Sequence, residues 1–137
     1  MATSDQSNLD LLTSSANGDL QEIKSLLKKG IDVNALTDSG TTALHAAARS
    51  GQMKALELLV ESGAKVDARD RFGKTPLHCA TRSGHQEIAR LLIDHGANVN
   101  AMAGNGSHPL DWAIRFEHDV LAEFLRERGG NCGKALR

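Results

Sequence analysis

Six histidines and two cysteines are the side chains in this chain best suited to metal binding or proton transfer at neutral pH. Their spacing argues against both. His45 and His78 stand 33 residues apart, as do His85 and His118, whereas metal sites gather ligands at short spacings such as CxxC. Cys79 and Cys132 are far apart, so both are expected as free thiols in a reducing compartment. No nucleophile, base and orienting group recur at one place, and no pair of carboxylates stands out. Gly129-Gly130-Asn131-Cys132-Gly133-Lys134-Ala135 resembles a phosphate loop superficially, but GxxxxGK[ST] needs four residues between its glycines and a hydroxyl after the Lys. Asn105-Gly106-Ser107 forms a glycosylation sequon that is expected to be idle without a secretory signal. No catalytic, cofactor-binding or metal-ligating residue is therefore expected. What remains is charge: Arg49, Arg82 and Arg115 also recur at intervals of 33.

The shared interval is a property of the whole chain. Thr41 to Ala68 and Lys74 to Ala101 are near-duplicates, matching at Thr42/Thr75, Leu44/Leu77, His45/His78, Gly51/Gly84, Leu59/Leu92, Gly63/Gly96 and Val66/Val99. A fixed period of this size predicts stacked units, each burying its apolar face only against its neighbours. Within one unit, Thr75 is placed to cap a helix and Pro76 suits the first helical position, where its missing N–H costs nothing. Gly84 ends that short helix. Ile88, Leu91 and Leu92 give the i, i+3, i+4 pattern of a second amphipathic helix, which Gly96 stops.

The Thr75-Pro76-Leu77-His78 tetrapeptide, the Gly84-His85 turn, the Leu91-Leu92 pair and Gly96-Ala97-Asn98-Val99-Asn100 closely resemble the ankyrin repeat. The resemblance implies an all-α solenoid of helix-turn-helix units with short β-hairpin or turn loops. It makes residues 1–137 one domain, with repeats at 5–37 (a degenerate N-terminal cap), 38–70, 71–103 and 104–137 (a C-terminal cap). Leu12 and Ser14 replace the motif's His and Ala in the first repeat, and MATSDQSN ahead of it is expected to be frayed. In the last, His108 stands where Thr would cap, Asp111 replaces the motif His, and Glu117 replaces the turn Gly. The resemblance also gives His45 and His78 a structural role, hydrogen-bonding to backbone and tying neighbouring loops. It marks Asn34 and Asn100 as a position sometimes hydroxylated in such proteins.

Composition leaves the partner class open on one side only. Net charge is −1, which recommends neither nucleic acid nor membrane, and no stretch approaches the roughly 20 apolar residues of a membrane span. MATSDQSNLDLL lacks the basic and apolar regions of a secretory signal, so a cytoplasmic location, or a nuclear one, is expected.

In the family the position of Arg49, Arg82 and Arg115 ends the inner helix and faces the concave side. The three guanidinium groups would then line a groove suited to an acidic or phosphorylated segment of another protein, Arg being favoured for bidentate pairing. The competing reading is three solvated side chains repeated by duplication. Carrying over the family's variable surface positions through Gly40, Gly73 and Gly106 places partner contacts at Asp38, Ser39, Thr41, Arg49, Arg69, Arg71, Phe72, Lys74, Arg82, Met102, Asn105 and Arg115. Trp112 and Phe116 are left between packing against the cap and facing a ligand. The expected function is a non-enzymatic, monomeric protein-binding scaffold or adaptor that needs no cofactor. The alternatives are a small kinase inhibitor of the ankyrin type, disfavoured because Thr42 to Arg49 is intact, and a targeting or regulatory module of a larger enzyme.

Overall fold

The computed structural model describes residues 2–133, with side chains from Gln6 onward; Met1 and the end of the last repeat, 134–137, lie outside the described residues. Among these, eight helices follow one another in pairs: α1 (Ala2–Asn17) and α2 (Leu20–Lys28), α3 (Ala43–Ser50) and α4 (Met53–Glu61), α5 (Pro76–Ser83) and α6 (Gln86–Asp94), α7 (Pro109–Arg115) and α8 (Asp119–Glu127). The inner helices α1, α3, α5 and α7 stack in order, and the outer helices α2, α4 and α6 form a looser second row.

The motif residues do what their chemistry dictates. Thr75 Oγ1 accepts from His78 N at 3.4 Å and starts α5, and Thr42 Oγ1 accepts from His45 N at 3.3 Å and starts α3. Leu44, Leu77 and Leu110 are all buried, one per repeat, in a core completed by Leu59, Ile88, Leu92 and Leu125. At 8 residues each, α3 and α5 are equal in length, so the second repeat's inner helix is complete.

Gly84 closes α5 at φ 78, a left-handed conformation that excludes most side chains. It has a second constraint: a Cβ there would meet His118 Cε1 of the next repeat at 2.7 Å. Glu117 holds the same place in the last repeat, at φ 58, where among the described residues no following ring presses on it. The left-handed backbone is thus kept by a residue poorly suited to it. Glu117→Gly should stabilise the protein by about 1 kcal/mol; a urea midpoint that stays put or falls would contradict this account.

One expectation is corrected. Residues 2–8 are helical rather than frayed, because α1 begins at Ala2. Leu9 sits where Thr42 and Thr75 cap their helices, and with no cap there and no Gly or Pro upstream the helix continues toward the N-terminus. Gln6 Nε2 donates to Asp10 Oδ1 at 2.9 Å across one turn of this extension. Of the two loop forms expected, β-hairpin or turn, the inter-repeat loops take the turn, with no strand among the described residues. Each is closed by a local bond between residues four apart, Thr37 N to Thr41 O at 3.1 Å, Asp70 N to Lys74 O at 2.9 Å and Ala103 N to Ser107 O at 2.9 Å, which leaves no length for a ladder.

Candidate partner-binding groove

Two rows of histidine fasten the repeats. His45 Nε2 donates to Lys74 O at 2.8 Å, and His78 Nε2 donates to Ser107 O at 2.9 Å, each crossing to the next repeat's loop. The other ring nitrogen accepts from the local cap: Thr42 Oγ1 lies 2.8 Å from His45 Nδ1, and Thr75 Oγ1 lies 3.0 Å from His78 Nδ1. Only the neutral Nε2–H tautomer satisfies both bonds. The second row was not foreseen as a tie. His85 Nε2 donates to Arg49 O at 3.1 Å and His118 Nε2 to Arg82 O at 3.0 Å, while Gln52 Nε2 donates to Ala16 O at 3.1 Å in the first repeat.

Burial pushes both His45 and His78 below the usual imidazole range, and the bonds to Lys74 O and Ser107 O only partly oppose it. Asp70, Lys74 and Arg49 surround His45; Arg69, Asp70 and His108 surround His78. A group held below its unfolded value contributes fully above about pH 6.5, and its contribution fades as pH falls from there through the folded value. The urea midpoint should therefore drop between about pH 7.5 and about pH 5, and His78→Gln should flatten part of that slope. A midpoint that rises or holds on acidification would refute the tautomer assignment.

The concave face carries the arginine ladder. Arg49 and Arg82, with His45, Lys74 and Trp112, line a cleft of about 140 Å³. Arg82 and Arg115, with Asn105, Trp112 and Phe116, line the next, of about 200 Å³. Arg82 and Trp112 are common to both, so the clefts adjoin. Trp112 stands edge-on to His78, ring centres 5.3 Å apart, and the Arg82 guanidinium lies 5.5 Å from the centre of the Phe116 ring. Both aromatics left open by the sequence therefore face the groove.

The remaining expected contact residues divide into two sets. Asp38, Ser39, Phe72, Met102 and Asn105 are exposed on the loop tips, Phe72 at 67% of its surface and Met102 at 46%; Thr41 is half-buried beneath them. Arg69, Arg71 and Lys74 are already engaged. Arg69 Nη1 donates to Gly73 O and to Met102 O of the following loop, and Arg71 Nη2 donates to Asp38 O of the preceding one. Lys74 Nζ lies 3.8 Å from Asp70 Oδ2 and near the Phe72 and Trp112 rings. These cations brace the tips, which the fixed 33-residue offset did not reveal.

Away from the groove, Asn34 and Asn100 use their amides as braces too. Asn34 accepts from Lys65 N at 2.8 Å and donates to Gly63 O, and Asn100 does the same with Asn131 N and Gly129 O. Among the described residues no group of three or more metal-ligating side chains is placed to hold an ion. No helix there is long and apolar enough to cross a membrane.

Family models carry the same reading as the geometry. A model described as ankyrin repeats (3 copies) matches residues 66–135, and one described as ankyrin repeats (many copies) matches residues 11–60. The chain belongs to the ankyrin-repeat family. Ankyrin repeats are in general protein–protein interaction modules, typically without catalysis of their own. A search of the curated proteins returned no match. In this ankyrin-repeat chain the stacked leucines and histidine ties build the frame, and the inner-helix ends and loop tips carry exposed side chains around the clefts.

Proposed function

We propose that this ankyrin domain is a non-enzymatic binding module whose concave face receives an acidic segment of another protein on Arg49, Arg82 and Arg115. One contrast supports the reading. Among the described residues every other arginine is engaged: Arg90 with Glu87 at 3.9 Å, Arg126 with Glu123 at 3.5 Å, Arg128 with Asp94 at 3.4 Å, and Arg69 and Arg71 with loop carbonyls. The three ladder guanidiniums have no carboxylate or carbonyl partner there, although they share two adjoining clefts.

Unpaired like charges held in a row repel one another modestly in water and attract an anion more strongly in a cleft with low-dielectric walls. The Trp112 and Phe116 rings supply such walls. Because the frame is preformed, little ordering entropy opposes binding. Affinity capture from lysate with the wild-type domain and with Arg82→Glu, read by mass spectrometry, tests the proposal. A partner with an acidic segment should be recovered by the first and lost with the second. Equal recovery by both would remove the ladder from the mechanism.

A further inference from the structure

The repeat junctions on the concave side are not alike. Between the second and third repeats, and between the third and fourth, the clefts are lined by arginine. At the first junction lies a wider cleft of about 470 Å³, lined by Leu9, Leu12 and Leu36 together with Asp38 and Ser39, with no cation among its lining residues. Leu9 is 46% exposed and Leu36 56%, so the apolar surface is open.

Three substitutions create it. Leu12 stands where His45 and His78 stand, and a leucine cannot carry the tie to the next loop; Thr41 O keeps the bond from Thr37 N within its own loop at 3.1 Å, whereas Lys74 O and Ser107 O accept both the corresponding loop bond and the histidine tie. Leu9 replaces the capping threonine, so α1 runs on to Ala2, and Leu9 and Leu12 form an apolar wall beside that loop with Gln6 of the extension next to them. Leu36 replaces the position of Arg69, which in the next loop braces the tips. Ser39 and Asn105 hold the same place in their turns, and each lines a cleft, so the apolar cleft and the arginine clefts lie along one row of loop tips.

We propose that the groove reads a register, and this rests on the proposed function above: the bound segment lies in a polyproline II conformation, in which every third side chain shares a face, and carries one apolar side chain three residues from the first of two carboxylates, themselves three residues apart. Charge complementarity assigns the ends, since Asp38 at the rim of the apolar cleft repels an acidic residue there, and Arg49, Arg82 and Arg115 attract one farther along. The interval follows from geometry. Adjacent packed helices lie about 8–10 Å apart, and a polyproline II chain advances about 3.1 Å per residue with three residues per turn, so one repeat corresponds to three residues of ligand and every third side chain faces the groove. Carboxylates fit the first arginine cleft better than phosphate dianions, because Asp70 is part of its lining.

The test uses the full chain and fluorescein-labelled peptides Leu-Gly-Ser-Glu-Gly-Ser-Glu and its reversal, both blocked at their unlabelled ends, followed by fluorescence anisotropy at low salt. One orientation should bind, and changing its Leu to Ser should weaken binding about tenfold. Leu36→Ser, on an exposed side chain, should produce the same loss and add little to the peptide change, which marks the two as partners. If the Leu and Ser peptides bind equally and Arg82→Glu abolishes both, the acidic groove stands and the apolar register is wrong. If no peptide binds, or binding ignores Arg82→Glu, both readings fall. Tighter binding by about tenfold when phosphoserine replaces both Glu residues would overturn the assignment of carboxylates.

Discussion

Leu77→Ala should cost about 2–5 kcal/mol and lower the melting temperature by on the order of 10 °C. Leu77 is fully buried in α5, which packs against α3 on one side and α7 on the other. Its removal opens a void at the centre of the stack rather than at an end. In a solenoid each repeat is stabilised by its neighbours, so a defect in the third repeat weakens both central junctions at once. Leu110→Ala, in the last repeat, has a neighbour on one side only among the described residues and should cost less. Urea denaturation followed by far-UV circular dichroism would measure both. A loss below about 1 kcal/mol at Leu77 would mean that the site collapses to fill the space, and that the leucine row does not hold the repeats together.

The leucine row was legible because repetition turns a sequence offset into a spatial one: residues 33 apart occupy one column of the stack. Thr42, Thr75, His45 and His78 followed from the same rule, since each makes its bonds at an equivalent place. The rule weakens where a column changes residue type. Leu9 and Leu12 were read as a degenerate cap, and their effect, a longer α1 and an apolar cleft, needed coordinates because it depends on a missing cap and a missing tie together. The His85 and His118 ties were hidden for another reason. Their acceptors, Arg49 O and Arg82 O, are backbone atoms 36 residues back and leave no mark in side-chain identity. Arg69 and Arg71 looked like recognition residues by position, and only the loop geometry shows them engaged with Met102 O and Asp38 O.

That division of the arginines sets up the second large effect. Arg82→Glu should reduce affinity for an acidic partner by about a hundredfold or more while leaving stability within about 0.5 kcal/mol. The first figure combines a lost charge-assisted contact with a new repulsion, and Arg82 is the position where both are largest because it lines both arginine clefts. The second follows from its surroundings: the side chain is exposed, forms no ion pair among the described residues, and its packing on Phe116 lies at the surface. The tie at this position runs through the Arg82 carbonyl to His118, which a side-chain substitution leaves in place. Arg69→Glu is the informative contrast. It removes the donations to Gly73 O and Met102 O and should loosen the tips, so its loss of binding should come with a loss of stability. If the two variants lose stability equally, Arg82 belongs to the frame after all, and the groove must be sought on another face.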